Sequence, residues 1–106
     1  MVRAIYTVED NTHTLVAAGH ANYAEYGKDI VCAGVSALIQ ALIGWIEENP
    51  HRANNINVET VGEEIVISCE GGEDIAAVFQ MVSMGLEQIA DSYPAHVQIK
   101  IIGTAD

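Results

Sequence analysis

A thiol and an imidazole lie twelve residues apart in the segment GHANYAEYGKDIVCAGVSAL, which runs from Gly19 to Leu38. The imidazole belongs to His20 and the thiol to Cys32. A cysteine beside a histidine can be activated as a nucleophile, because the imidazole takes the thiol proton and later returns it to the leaving group. We therefore take His20 and Cys32 as candidate catalytic residues for acyl transfer.

Cys32 is predicted to lie in the first turn of a helix. Asp29 precedes a long apolar segment, as helix N-caps do, because a carboxylate accepts hydrogen bonds from unpaired amides. Those amides and the helix dipole favour negative charge, both on a thiolate and on the oxyanion of a tetrahedral intermediate. The Asp29 carboxylate opposes thiolate formation, and a cationic His20 would compensate. Ser36 follows Cys32 by four residues, so it shares a helix face with the sulfur and can hydrogen bond with it.

The segment between the two candidate residues contains Tyr23, Tyr26 and Gly27. Loops of this composition often carry binding residues and can close over a substrate, so we predict a mobile lid whose rings hold a peptide. The group that orients the His20 imidazole is not identified by the sequence. Asp29 is one candidate, unless capping the helix occupies it fully.

Other interpretations of the same residues remain open at this point. Cys32 could be a small buried hydrophobe in a non-catalytic, acidic binding module, with His20 a turn residue. A thiol redox sensor would use the same activated sulfur. A zinc site formed by His13, His20 and Cys32 requires a geometry that the spacing does not assure, so we expect no metal and no other cofactor. Cys69 is in phase with the apolar residues of its strand and is predicted to lie in the core.

The apolar periodicity predicts seven elements in the order ββαββαβ. Alternation indicates strands over residues 2–8, 14–18, 56–61, 65–70 and 97–101, and three-four spacing indicates helices over 30–48 and between 73 and 93. This order is typical of the α+β class, with two helices packed on a mostly antiparallel sheet in a single domain over residues 1–106. The first helix is apolar on nearly every side, so it should pack on the sheet and also on a second partner.

Composition narrows the range of partners. The 106 residues include 4 basic and 15 acidic side chains, and the net charge of −11 repels nucleic-acid phosphates and favours a basic partner. A chain of this size gains buried surface by self-association. Residues 30–46 are only just long enough to cross a bilayer, so we favour a core helix and no membrane contact. Without a signal-peptide pattern or a disulfide framework, we expect a cytoplasmic protein.

The motif GHA, followed after the tyrosine-containing loop by DIVCAGVSAL, resembles the signature of the ribosomal-processing cysteine protease (Prp) family. The chain length and the strand-helix order are also similar to those of the family. This resemblance implies that His20 and Cys32 form the catalytic pair, with Asp29 and Ser36 as the accompanying polar residues of the signature.

The resemblance also implies a function. Members of the family are homodimeric cytoplasmic endopeptidases that remove a short N-terminal extension from large-subunit ribosomal protein twenty-seven, cleaving after paired aromatic residues. A basic ribosomal protein would suit the acidic chain, and a mobile aromatic loop would admit its peptide. A dimer would also give the first helix its second partner.

Overall fold

The sheet begins with a tight hairpin that ends beside the candidate site. The computed structural model describes residues 1–25 and 27–103. Strands β1 (Val2–Glu9) and β2 (Thr12–Ala18) are antiparallel and are joined by a two-residue turn. Asp10 in this turn has a φ of 55°, a left-handed conformation that aspartate tolerates better than most residues. Because β2 ends at Ala18, His20 lies just beyond the end of a central strand.

A second hairpin and a parallel strand complete the sheet. Strands β3 (Ala53–Val61) and β4 (Glu64–Gly71) are antiparallel, and β4 also pairs antiparallel with β2. The last strand, β5 (Val97–Ile102), runs parallel to β1. The strand order is β3-β4-β2-β1-β5, with one parallel pair among three antiparallel ones. The parallel pair requires a long crossover, which the second helix supplies.

Two helices cover one face of the sheet and pack against each other. They are α1 (Ile30–Glu48) and α2 (Glu73–Ser92). Glycine lets them approach closely, because a Cβ atom added at Gly85 would lie 2.9 Å from the side chain of Leu38. The second flank of α1, for which the sequence suggested a dimer partner, is therefore occupied by α2 of the same chain.

Helix α1 is long and apolar enough to cross a membrane when only its length and composition are considered. In the fold its most apolar side faces the protein interior, where Val31, Leu42 and Ile46 are buried against the sheet and α2. Five residues of this helix are thus part of the core of this domain.

The predicted order ββαββαβ and the predicted architecture of two helices on a mostly antiparallel sheet are confirmed. The largest error in the element boundaries is at β3, which begins at Ala53 rather than at residue 56. The register of β3 shifts between Asn54 and Asn57, and Asn55 has a φ of 52° with its amide donating to a Glu70 carboxylate oxygen at 2.7 Å. A bulge rich in asparagine breaks the apolar alternation, so the pattern did not reveal this part of the strand.

A histidine lies in the core, away from the candidate site. His13 is 2% exposed, its Nδ1 lies 2.7 Å from the Tyr6 hydroxyl, and its ring stacks on Phe79. Burial lowers the pKa of His13 and raises the pKa of Tyr6 to about 12, with a smaller contribution to the latter from the nearby Cys69. A neutral imidazole accepts a hydrogen bond from the Tyr6 hydroxyl at Nδ1, so these two polar atoms are paired inside the core.

We expect the buried histidine to make the fold sensitive to acid as the pH falls below the ordinary histidine pKa of about 6.5. In the unfolded chain the pKa of His13 is about 6.5 and in the fold it is lower, so the unfolded state binds more protons. The free energy of unfolding therefore decreases as the pH is lowered. The limiting slope for one proton is about 1.4 kcal/mol per pH unit. Urea unfolding at a series of pH values measures this slope.

Two variants isolate the contribution of His13. His51 is exposed, so His51→Gln should keep the slope of the native chain. His13→Phe removes the titrating group, and its free energy of unfolding should change less with pH even if it is lower overall. If the free energy of unfolding of His13→Phe changed with pH as steeply as that of the native chain, His13 would not be the group responsible.

Candidate functional site

The start of α1 is organised by one carboxylate. Asp29 is the N-cap, and its Oδ1 accepts the amide of Cys32 at 2.8 Å. Its Oδ2 accepts the amides of Tyr23 at 3.0 Å and Ala24 at 3.4 Å. These hydrogen bonds, with the one from Cys32 foremost, hold the pKa of Asp29 below its usual value. The same side chain thus begins the helix and folds the preceding loop back onto it.

Cys32 and His20 line the same open cleft, which has a volume of about 530 Å³. Gly27, Asp29 and Ser36 contribute to its walls. Cys32 is half-buried, with Ser36 one turn further along α1 beside the same opening. The structure therefore places the four residues of the sequence signature around one cavity, although among the described residues no hydrogen bond joins the imidazole of His20 to the sulfur of Cys32.

The imidazole of His20 is held by a residue that the sequence did not single out. Its Nε2 lies 3.1 Å from Oε1 of Glu63, in the turn between β3 and β4. The backbone supports this approach, because the amide of Gly19 donates to the Glu63 carbonyl at 3.4 Å. Both side chains are largely exposed, at 62% for His20 and 69% for Glu63. With Nε2 paired to a carboxylate, Nδ1 is the nitrogen left to exchange a proton with a thiol.

Asp29 is not the partner of the imidazole. Its two oxygens accept hydrogen bonds from amides of the helix and of the loop, so capping is the use of this carboxylate in the fold.

The amides in the first turn of α1 were expected to be available to hold an oxyanion, and the structure differs. Cys32 donates to the Asp29 side chain and Ala33 to the Asp29 carbonyl at 3.0 Å, so neither amide is free to hold an oxyanion in this arrangement.

The loop before α1 is anchored by an aromatic cluster. Tyr23 packs edge-on against Tyr93 and His96, with ring centroids 5.2 and 5.4 Å apart. His96 Nδ1 donates to the carbonyl of Ala21 at 2.8 Å. Gly27 has a φ of 86° and lines the cleft. Tyr26, the other predicted lid residue, lies outside the described residues.

Sequence reasoning passed over Glu63, Tyr93 and His96 because each reaches the site from a distant element. Glu63 lies in the turn between two strands and His96 directly before the last strand, positions that carry no catalytic signal of their own. The available signal was weak: the segment Tyr93 to His96 places two rings next to a proline at the end of a helix. The contacts of Tyr93 with Tyr23 and of His96 with Ala21 show that the end of α2 meets the loop before α1.

The remaining cysteine and histidine residues do not join the cleft. Cys69 is fully buried on β4, as predicted, and burial raises its pKa. Both cysteines are free thiols. His13 points into the core against Phe79, so the three ligands considered for zinc are not brought together. Among the described residues no group of three or more acidic, cysteine or histidine side chains could hold a metal ion.

Known proteins with similar sequences are cysteine proteases. A family model described as "Cysteine protease Prp" matches residues 1–98. The "Ribosomal processing cysteine protease Prp" of Mycoplasma genitalium is 36% identical over 86 residues, which cover 80% of this chain and 84% of that protein. The protein of the same name from Staphylococcus aureus is 32% identical over 107 residues, covering 93% of this chain and 97% of that protein.

Solved structures share the fold. The S. aureus Prp in complex with a covalently linked product peptide superposes with a TM-score of 0.81 at 25% identity, covering 96% of this chain and 100% of that chain. SMU.848 from Streptococcus mutans superposes with a TM-score of 0.74 at 23% identity, over 98% of this chain and 96% of that chain. At that identity the second similarity concerns the fold alone.

The different surroundings of the two thiols predict selective alkylation. Iodoacetamide should modify Cys32 in the folded protein and spare Cys69, because Cys32 faces the cleft whereas Cys69 is buried with a raised pKa. Intact-mass spectrometry should show a single adduct, and peptide mapping should locate it at Cys32. Cys32→Ser is the control and should stay unmodified until denaturant is added. Modification of both cysteines at equal rates would contradict this description of the site.

Proposed function

Because this chain belongs to the cysteine protease Prp family, whose members act in ribosomal processing, we propose that it uses Cys32 and His20 as a catalytic dyad to remove a short N-terminal extension from large-subunit ribosomal protein twenty-seven. The observation that carries the assignment is the position of both residues on one cleft, with Cys32 at the capped start of α1. The chain is a cysteine endopeptidase, and the proposal concerns its substrate and its reacting groups.

The chemistry follows acyl transfer in two stages. Nδ1 of His20 takes the thiol proton of Cys32, and the sulfur attacks the carbonyl carbon of the scissile peptide bond. The tetrahedral intermediate collapses to a thioester as His20 gives its proton to the departing amine. Water, deprotonated by the same imidazole, then attacks the thioester and restores the thiol. For the first step the side chain of His20 must reach the sulfur, and its high exposure leaves room for this rotation.

The supporting residues have separate tasks in this proposal. Asp29 holds the start of α1 and the loop together, and so fixes the position of Cys32. Glu63 orients His20 from the far side of the ring, as a carboxylate partner does in a triad. Ser36 lies beside the sulfur at the cleft wall and can hydrogen bond with it. Tyr23 and Gly27 belong to the loop that would contact the bound peptide.

The proposed substrate agrees with the charge of the chain. A net charge of −11 attracts the basic N-terminal region of a ribosomal protein and repels free nucleic acid, so we propose a peptide partner and no direct nucleic-acid contact. The S. aureus relative has been solved with a covalently linked product peptide, which supports a peptide substrate here.

We further propose that the protein is a cytoplasmic homodimer that does not bind membranes. Free thiols at Cys32 and Cys69 suit a reducing compartment. A domain of this size gains buried surface by pairing, and one face of its sheet is not covered by either helix.

The assignment of the nucleophile predicts a large loss of activity in Cys32→Ala. Without the sulfur no thioester forms, so the rate of cleavage should fall by at least about a thousandfold. The assay uses a peptide that spans the proposed extension and follows its cleavage by mass spectrometry. His51→Gln, which changes an exposed residue far from the cleft, is the activity control. Peptide binding should survive in Cys32→Ala, and retained cleavage would contradict the proposal.

The role of Glu63 is tested separately. Glu63→Ala removes the partner of the His20 imidazole, and we expect kcat to fall roughly tenfold with little change in KM, because this carboxylate contacts the imidazole and is not among the residues that line the cleft. Glu63→Gln keeps a hydrogen-bond acceptor and should recover part of kcat. Glu9→Ala changes an exposed carboxylate at the other end of β1 and should have native kinetics. An effect on KM alone would argue against a positioning role.

A further inference from the structure

Residues 19–24 follow β2 and are held by partners from three other parts of the chain; we call them the anchored segment. At its start the amide of Gly19 donates to the Glu63 carbonyl at 3.4 Å. Near its end the amide of Tyr23 donates to the Asp29 carboxylate at 3.0 Å. The imidazole of the proposed dyad is carried by this segment, so its position depends on how firmly the segment is held.

The third contact holds the middle of the anchored segment and comes from His96. Its Nδ1 lies 2.8 Å from the carbonyl oxygen of Ala21, the residue after His20. Because a carbonyl oxygen can only accept a hydrogen bond, the proton must be on Nδ1 of this imidazole. Ala21 is 1% exposed, so its carbonyl depends on a partner within the protein. The bond from His96 therefore fixes the peptide unit that follows Ala21.

His96 is itself held in place at the end of α2. Its amide donates to the Tyr93 carbonyl at 2.9 Å, and its own carbonyl accepts the amide of Val2, the first residue of β1, at 2.9 Å. Its ring packs edge-on against Tyr23, with the ring centroids 5.4 Å apart. Because its backbone and its ring are both fixed, the Nδ1–H donor is presented by a well-anchored part of the fold.

The peptide unit that His96 fixes leads into an uncommon backbone conformation. Asn22 has a φ of 53°, in the left-handed region, and lines the cleft. Asparagine tolerates this region better than most residues, but such a conformation persists only where the surrounding contacts hold it. Here the contacts of Ala21 and Tyr23 hold it from both sides. Loss of the bond from His96 would release the chain between His20 and the wall of the cleft.

We propose that His96 is a positioning residue for the peptidase reaction, because its hydrogen bond to Ala21 fixes the backbone that carries His20. The inference rests on the proposed function, which makes His20 the proton carrier of the dyad. His96 acts on the backbone and Glu63 on the ring, so the two partners have separate effects. A displacement of about 1 Å at a reacting group can lower the rate about a hundredfold, so a loosened backbone has a measurable cost.

Two substitutions separate the hydrogen bond from the packing of the ring. His96→Asn removes the ring but keeps an amide donor close to the position of Nδ1. His96→Phe keeps a ring against Tyr23 but leaves the buried carbonyl of Ala21 without its partner. With a peptide that spans the proposed extension, kcat of His96→Phe should fall at least about tenfold and KM should change less than about twofold. His96→Asn should keep kcat within about threefold of the native value.

The controls distinguish positioning from a loss of stability. His51→Phe makes the same exchange at an exposed histidine and should have native kinetics. Circular dichroism gives the folded fraction, and each rate is expressed per folded chain. A merely structural role predicts lower thermal stability with native kcat in His96→Phe, and that result would overturn the inference. A change in KM alone, or an equal loss of kcat in His96→Asn, would overturn it as well.

A second measurement needs no substrate. Hydrogen–deuterium exchange at the amides of Tyr23 and Ala24, which both donate to Asp29, should be at least about tenfold faster in His96→Phe and near native in His96→Asn. Equal exchange in all three proteins would overturn the inference whatever the kinetics. Failure of the proposed function is seen elsewhere, in a native chain that does not cleave the peptide or in a Cys32→Ala variant that does.

Discussion

The hydrogen bonds accepted by Asp29 determine the geometry on which the candidate site depends. A helix begins with amides that have no partner within it, and here one carboxylate accepts the amide of Cys32 while its second oxygen accepts amides from the preceding loop. The capping interaction and the loop closure therefore form together. Since Cys32 is the third residue of α1, the position of its sulfur follows from the position of the cap.

This arrangement has an electrostatic consequence. The carboxylate that caps the helix also places a negative charge at the cleft that Cys32 lines. Two described basic residues line this cleft, His20 and Lys28, and of these a neutral His20 is the one that can also take the thiol proton. Glu63 holds the imidazole of His20 from the opposite side, so the two carboxylates act on different members of the pair.

The sequence predicted the parts of this site that depend on local chemistry. An N-cap followed by an apolar run identified the start of α1, and the end of an alternating strand located His20, because both signals lie within a few residues. Glu63 and His96 were missed because they meet His20 and the loop before α1 only through the pairing of β4 with β2 and the docking of α2, which no local pattern records.

The fold shows the same division. Apolar periodicity was sufficient to predict the seven elements and the packing of two helices on a mostly antiparallel sheet. It did not predict that α2 would cover the second flank of α1, since that contact depends on Gly85 leaving space for Leu38. It also did not locate the start of β3, where a bulge and Asn55 interrupt the alternation. In each case the missing information is a contact between residues distant in the chain.

The most direct test of the account is an NMR titration of the backbone amide protons at low pH. An amide that donates to a carboxylate changes its chemical shift as that carboxylate is protonated. The account predicts that the amides of Cys32 and Tyr23 shift together, with one midpoint below the usual pKa of about 3.9 for aspartate, and that Asp29→Asn abolishes both shifts. Separate midpoints, or a shared midpoint at or above the ordinary aspartate value, would contradict it.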